Sequence, residues 1–192
     1  MKSIYISEEE FKNRYPDLNL IRYKFCVNAL QYEDVKFGHM GRYIHRPLPL
    51  TDDLKKCFSL DCGGLLIETM RDTEIYTEDA EMYNYHKRPD GSSLIKHTKN
   101  VAIMLSKSEA KPGDLLVMKD TDNATHYAIF LGKFIEGDAD GDYIIHAFAS
   151  ERKVVIHRFS GELFKDTISA FTLKTMLNCE EKEEQKGESL WD

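Results

Sequence analysis

The sequence lacks the features that would indicate a membrane or a nucleic-acid partner. No stretch approaches the roughly 20 consecutive apolar residues that a transmembrane helix needs, so we expect no membrane span. The 33 Asp and Glu residues outnumber the 26 Lys and Arg residues, which gives a net charge of −7. This balance disfavours nucleic acid or an anionic membrane surface as the main partner. The composition favours a soluble globular protein.

The N-terminus also lacks the apolar core of a secretory signal, because the chain becomes acidic at residues 8–10. We therefore expect synthesis in the cytoplasm. Delivery by a specialised secretion system, or by a phage that encodes the protein, would not require such a signal.

Cysteine is scarce as well. The four cysteines, Cys26, Cys57, Cys62 and Cys179, are too few and too scattered for a disulfide scaffold. We expect free thiols, with Cys26 buried as a small core residue and Cys179 solvated near the C-terminus.

The N-terminal half of the chain carries helix signals. Ser7 and Glu10 form a capping box, and Pro16 ends the helix that follows. Glycine and proline between residues 36 and 57 predict a surface loop. The helices that we expect cover residues 7–15, 18–31, a segment beginning at Cys62, a segment beginning at Thr77, and 93–108. For residues 18–31, Phe25 and Val27 leave a strand as the alternative.

The C-terminal half changes to short β-rich runs, and two of them are almost continuously apolar, as central strands covered on both faces are. Helices followed by antiparallel strands predict an α+β fold with a five-stranded antiparallel sheet. We expect one domain over residues 1–178, followed by an acidic, disordered tail over residues 179–192. The five predicted strands are 114–119, 126–132, 143–149, 154–159 and 168–173.

Cys62 is the most informative residue of the sequence. It follows Asp61, precedes Gly63 and Gly64, and opens an apolar run with helical spacing. A thiol in the first turn of a helix is exposed to the positive end of the helix dipole, which favours the nucleophilic thiolate. This position predicts a catalytic cysteine, provided that the fold supplies a base.

His126 and His146 are the candidates for that base and its partner. His126 starts one apolar strand and His146 lies in the next, and the Asp140–Gly141 pair between them is typical of a hairpin. Because their positions differ by an even number, both side chains can lie on the same face, at or close to opposite positions. One imidazole would then serve as base and the other would orient it. For His157, in the following strand, we favour a structural or surface role.

Two other functions remain open at this point. A zinc site could be built from Cys57, Cys62, His126 and His146, although Cys-x4-Cys is a loose ligand spacing. The same cleft could also belong to a catalytically idle binding domain.

Four sequence blocks, in the same order, resemble the NlpC-type cysteine peptidases of the papain-like clan. Asp-Cys-Gly-Gly-Leu at 61–65 is similar to their nucleophile motif, and Pro-Gly-Asp-Leu-Leu-Val at 112–117 to the segment that opens their sheet. His-Tyr-Ala-Ile-Phe-Leu-Gly at 126–132 resembles the strand with their catalytic histidine. Tyr-Ile-Ile-His-Ala at 143–147 resembles the strand with their third catalytic residue.

The resemblance implies a papain-like fold in which N-terminal helices pack on the sheet and Cys62 opens a helix. It implies Cys62 as nucleophile, His126 as base, His146 as orienting residue, and an oxyanion hole that includes the backbone N–H of Cys62. It places Tyr43, Asp61 and Gly63 beside the substrate. No cofactor or metal is implied.

The substrate implied by the resemblance is an amide bond in a peptide, most plausibly in the stem peptides of peptidoglycan. Deamidation, proteolysis or acyl transfer on a protein target, by a secreted or injected effector, is the alternative. For a toxin of that kind, an immunity or inhibitor protein that blocks the cleft is the expected partner.

Overall fold

Helices are the main regular elements in the N-terminal half of the computed structural model, which describes residues 5–41, 48–84, 91–119, 125–137 and 140–177. Helix α1 begins after its N-cap Ser7, whose side chain accepts a hydrogen bond from the N–H of Glu10, as the capping box predicts. Within these described residues, no helix combines the length and the apolar character needed to traverse a bilayer. The helices are α1 (Glu8–Arg14), α2 (Leu20–Leu30), α3 (Asp52–Lys55), α4 (Cys62–Asp72), α5 (Ala80–Tyr83), α6 (Gly91–Val101) and α7 (Gly161–Asp166).

The strands described in the structure form one mixed, eight-stranded sheet with the order β2-β1-β7-β6-β5-β4-β8-β3. Strands β4 to β7 pair antiparallel in sequence, β8 returns beside β4, and β3 lies on the outer edge. Strands β1 and β2 pair in parallel. The strands are β1 (Lys36–Phe37), β2 (Ser59–Leu60), β3 (Ala102–Leu105), β4 (Leu115–Lys119), β5 (Thr125–Gly132), β6 (Tyr143–Phe148), β7 (Lys153–Arg158) and β8 (Thr167–Leu173).

The prediction of a five-stranded antiparallel sheet is therefore wrong in two respects. The sheet has eight strands, and one pair of them, β1 and β2, is parallel. The five predicted strands are present as β4 to β8, but β1, β2 and β3 were missed. Strands β1 and β2 contain two residues each, which is too short for a hydrophobic period to appear. The spacing of apolar residues predicts a helix over 93–108, yet α6 ends at Val101, because the following segment, β3, pairs with the edge of β8. Tertiary pairing overrides the local helical pattern here.

Both faces of the sheet are covered, which explains the continuous apolar runs of β5 and β6. Helix α4 packs on one face, where its Leu65 and Leu66 join Ile129 and Ile145 in the main core. A smaller core, which includes Ala128 and is covered by Leu163 of α7, lies on the opposite face. Cys26 lies in the main core with no exposed surface, and its burial raises the pKa of the thiol. Residues 179–192, including Cys179, lie outside the described residues, so the domain boundary stays a prediction.

A buried ion pair joins α2 to the start of β4. Arg22 and Asp114 are 1% and 0% exposed, and Nη1 of Arg22 donates to Oδ1 of Asp114 at 2.8 Å. The same carboxylate accepts a hydrogen bond from the Thr172 hydroxyl of β8 at 2.6 Å and one from the N–H of Lys111 at 2.8 Å. Nη1 of Arg22 also donates to the carbonyl of Pro112 at 3.0 Å. The Pro-Gly-Asp segment therefore serves as a structural anchor.

We expect Asp114→Asn to destabilise the fold by about 3–5 kcal/mol, because it leaves the Arg22 guanidinium buried without its counter-charge. Urea unfolding followed by circular dichroism measures the change. Asp53→Asn is the matched control, because its pair with Lys56 is exposed and such pairs contribute less than about 1 kcal/mol. Equal losses for the two variants would contradict the anchoring role.

Candidate active site

Cys62 is the first residue of α4, and Asp61 fixes the start of this helix. The Asp61 side chain is the N-cap and accepts a hydrogen bond from the N–H of Gly64 at 2.7 Å. The intrahelical ladder begins with the N–H of Leu65, which donates to the Asp61 carbonyl at 3.0 Å. Cys62 is partly exposed, whereas Gly63 and Gly64 are buried. The thiol thus lies at the positive end of the α4 dipole, where the thiolate is favoured.

The segment before residue 42 passes beside this helix start. The Gly41 carbonyl accepts a hydrogen bond from the N–H of Asp61 at 3.4 Å. A Cβ atom at Gly41 would lie 2.5 Å from the Ser59 carbonyl oxygen, so the close approach requires glycine. Tyr43 lies outside the described residues, and its contact with substrate stays a prediction.

The first turns of α4 lie on β5, the strand that carries His126. Cys62 and Leu65 line one small pocket together with Tyr127 and Ala128. Tyr127 is buried, which raises the pKa of its phenol, and its hydroxyl lies 3.5 Å from the Thr98 hydroxyl of α6. Strand β5 therefore packs against the start of α4 at the two residues that follow His126.

Three imidazoles, one each on β5, β6 and β7, and one carboxylate in the turn before β7 form a continuous line. Nε2 of His126 lies 2.8 Å from Nδ1 of His146. Nε2 of His146 lies 3.0 Å from Nδ1 of His157. Nε2 of His157 lies 2.6 Å from Oε1 of Glu151. Each distance is within the range of a hydrogen bond.

His146 is the central and most buried member of this line, with no exposed surface. Its ring stacks on Phe148, with centroids 4.9 Å apart and an interplanar angle of 16°. Burial, followed by the charges that His126 and His157 carry when protonated, lowers the pKa of His146 from 6.5 to about 2. His146 is therefore a neutral imidazole at physiological pH, and each of its ring nitrogens faces another imidazole.

The structure places His126 and His146 in contact, although they are not directly opposite each other. Ile129 pairs with Ile145 and Phe130 with Ile144, and a register shift follows between Phe130 and Gly132. This register sets the two histidines diagonally, two residues apart, which still brings their rings together because side chains of like parity share a face. The catalytic roles of Cys62, His126 and His146 stay predictions.

Sequence analysis missed His157 and Glu151. His157 is not an isolated surface residue, since it bonds His146, and the pairing of Ile144 with His157 places it diagonal to His146. The even spacing that linked His126 to His146 does not hold here, because His146 and His157 are 11 residues apart. The register set by the turn between β6 and β7 brings them to one face, and the sequence pattern does not specify that register. Glu151 precedes β7 in a turn, and no period in the sequence predicts its contact.

Asp61 and Gly63 were predicted to lie beside the substrate. The structure gives Asp61 a clear role as the N-cap of α4 and buries both residues. Their contact with substrate is a separate matter and stays a prediction.

The alternative of a zinc site receives no support from the geometry. Among the residues that the structure describes, no group of three or more His, Cys, Asp or Glu side chains is arranged to hold a metal ion. Both ring nitrogens of His146 lie at hydrogen-bond distance from other imidazoles, so this residue is unsuited to be a ligand.

Comparison with known families matches residues 36–172 of the chain to the model of the NlpC/P60 family. A search among curated proteins found no match.

Three solved structures resemble the fold, each with a TM-score of 0.51. The P60 domain of an antigen from M. avium subspecies paratuberculosis is 14% identical, over 80% of this chain and 93% of that domain. The peptidoglycan hydrolase RipB of Mycobacterium tuberculosis is 16% identical, over 87% of this chain and 67% of RipB. RipD of Mycobacterium tuberculosis, a non-catalytic NlpC/p60 domain protein adapted to peptidoglycan binding, is 14% identical, over 80% of this chain and 97% of RipD. At these identities the likeness concerns the fold.

We expect the folded state to lose stability as the pH falls below about 6.5. The native pKa of His146 is about 2, so the unfolded chain binds a proton at this position that the folded chain rejects. This loss of folding stability is absent above pH 6.5 and grows by up to about 1.4 kcal/mol for each pH unit below it.

Urea unfolding at about pH 7 and at about pH 5.5 tests this dependence, with His146→Asn and His39→Asn compared with wild type. His146→Asn should flatten the profile, whereas His39→Asn, which changes an exposed imidazole, should leave it unchanged. A profile that is equally steep without His146 would refute the assignment.

Proposed function

The chain belongs to the NlpC/P60 family, and on this basis we propose that it is a thiol hydrolase, a cysteine peptidase or amidase, that cleaves an amide bond in peptidoglycan stem peptides. The hydrogen-bond contact between His126 and His146 carries the proposal. It supplies an oriented imidazole on the strand that packs against the helix beginning with Cys62. The description of RipB as a peptidoglycan hydrolase and that of RipD as peptidoglycan-binding support the choice of substrate.

The proposed reaction begins with transfer of the Cys62 proton to His126. Because Nε2 of His126 contacts His146, Nδ1 is the nitrogen that receives this proton. The thiolate then attacks the amide carbon, and the backbone N–H of Cys62 contributes to binding the oxyanion of the tetrahedral intermediate. His146 keeps the imidazole oriented throughout.

Collapse of that intermediate breaks the carbon–nitrogen bond, and His126 donates its proton to the departing amine. The acyl group remains on Cys62 as a thioester. Water, deprotonated by His126, attacks the thioester carbon and releases the carboxylic acid and the free thiol. The cycle is balanced without a metal, an oxidant or a cofactor.

We expect Cys62→Ala to reduce peptide release from purified wall fragments by at least about 10³-fold, because the nucleophile is lost. Mass spectrometry of the products detects both the new carboxylate and the new amine. Cys57→Ala is the matched control, since Cys57 is an exposed cysteine on the same stretch of chain. Unchanged release by Cys62→Ala would exclude Cys62 as the nucleophile.

The likeness to RipD makes an idle binding domain the second candidate, and cysteine reactivity separates the two. For the enzyme, we expect the Cys62 alkylation rate to rise with an inflection well below the reference thiol value of ~8.5. His126→Gln should shift this inflection upward, because the imidazolium that stabilises the thiolate is removed.

Peptide mass spectrometry after iodoacetamide treatment across a pH series gives the rate for each cysteine, and exposed Cys57 serves as the internal comparator. Identical profiles for Cys62 and Cys57 would favour the idle domain. A reactive Cys62 combined with intact wall fragments would instead favour an effector that acts as a deamidase, protease or acyltransferase on a protein target.

A further inference from the structure

We propose that Glu151 and His157 are positioning residues that hold His126, through His146, in the tautomer whose Nδ1 accepts a proton. The inference rests on the proposed function of His126 as base. It concerns two residues that lie beyond the cysteine and the two histidines already assigned. Neither is required to touch the substrate or the reacting atoms.

The Glu151 carboxylate determines which nitrogen donates and which accepts in each hydrogen bond of the line. An ionised carboxylate can only accept hydrogen bonds, so the nitrogen that faces Glu151, Nε2 of His157, must carry a hydrogen. In a neutral imidazole the other nitrogen is then an acceptor. Nδ1 of His157 therefore accepts from His146, and the hydrogen between these two rings belongs to Nε2 of His146.

The same reasoning passes through His146 to His126. With its hydrogen on Nε2, neutral His146 presents Nδ1 as an acceptor, and the only hydrogen that can occupy that contact is the one on Nε2 of His126. A neutral His126 with its hydrogen on Nε2 has its lone pair on Nδ1. This is the nitrogen that the proposed reaction uses to take the Cys62 proton.

Because His146 is buried and carries one ring hydrogen, the tautomer of His157 determines the tautomer of His126. A histidine with two ring hydrogens would donate in both directions and break the sequence of donors and acceptors. His146 has no exposed surface, and its lowered pKa keeps a second proton off the ring. The rings in contact with His146 are those of His126 and His157 on the neighbouring strands and that of Phe148 on β6 itself, and none of these three groups is a carboxylate that would favour the charged form.

The line also remains consistent during the proposed reaction. When His126 becomes an imidazolium, it still donates from Nε2 to Nδ1 of His146, so none of the three hydrogen bonds has to reverse. A second proton on His157 would have the opposite effect. Nδ1 of His157 would then donate to Nε2 of His146, the hydrogen of His146 would move to its Nδ1, and the hydrogen of His126 would move from Nε2 to Nδ1.

The position of Glu151 suits this role and also makes it testable. Its side chain is 43% exposed and that of His157 is 28% exposed, so both can be changed without opening a cavity in the core. Glu151→Gln removes the charge and leaves a side chain that can donate as well as accept, so it no longer selects one tautomer of His157. Glu151→Asp retains the carboxylate. Glu162→Gln makes the same change of charge at an exposed position of α7 and serves as the control.

The direct test is nitrogen-15 NMR of the histidine rings near pH 8, recorded in Cys62→Ala so that a thiolate does not influence His126. We expect His126 to carry its hydrogen on Nε2. Glu151→Gln and His157→Phe should each lower the ratio of this tautomer to its alternative by about tenfold, the equivalent of one hydrogen bond to a charged group. Glu151→Asp and Glu162→Gln should leave the ratio near that of Cys62→Ala.

Kinetics on wall fragments, with Cys62 intact, provide the second readout. Glu151→Gln should lower kcat by about tenfold with little change in KM, because the relay acts on the base and not on substrate binding. Glu151→Asp should recover most of kcat, and Glu162→Gln should match wild type.

The two proposals fail in different ways. A His126 tautomer ratio that stays constant in both Glu151→Gln and His157→Phe overturns the relay, whatever their kcat values. A wild-type protein without hydrolase activity but with the expected tautomer shifts supports the relay and overturns the proposed function.

Discussion

The Arg22–Asp114 pair is the interaction on which the relative placement of the two halves of the fold depends. It joins α2 to the residue before β4, and both charges are withdrawn from water. Helix α2 is in turn tied to the end of α4, where the Asn28 side chain donates to the Thr73 hydroxyl at 3.0 Å. Strand β4 pairs directly with the strand that carries His126. A buried pair of this kind contributes little net stability over apolar packing, yet it penalises every arrangement that separates the partners. It therefore fixes the geometry between Cys62 and its proposed base more than it stabilises the chain.

The same principle explains why β6 tolerates a histidine in an apolar environment. An unpaired imidazole at a position with no solvent exposure would lose its hydrogen bonds to water without replacement. His146 avoids this loss because neighbouring strands supply one partner for each ring nitrogen. The environment that excludes water also keeps the ring neutral. The neutral state of His146 and the fixed order of donors and acceptors thus have one cause. His146 is buried between two other imidazole rings on the inner strands of the sheet.

The sequence was sufficient for those parts of the fold and site that depend on local chemistry or on strand parity. The cap at Asp61 and the glycines after Cys62 predict where α4 begins, and even spacing predicts that His126 and His146 share a face. The features that could not be predicted from the sequence depend on contacts outside the local pattern. Strand β3 exists because β8 presents an edge to it, although its own residues continue a helical pattern. Glu151 bonds His157 from the turn that precedes β7, a contact determined by loop geometry and not by any period in the sequence.

The fold alone does not decide between catalysis and binding, because a peptidoglycan hydrolase and a non-catalytic domain resemble this chain with the same TM-score of 0.51. The decision has to come from the side chains. A binding cleft gains nothing from a buried neutral imidazole held between two others, since a contact surface needs shape and exposed polar groups. A general base does gain from it, because base strength and tautomer both depend on what holds the second ring nitrogen. A line of donors and acceptors that ends in a carboxylate therefore favours the proposed catalytic function over an idle binding domain.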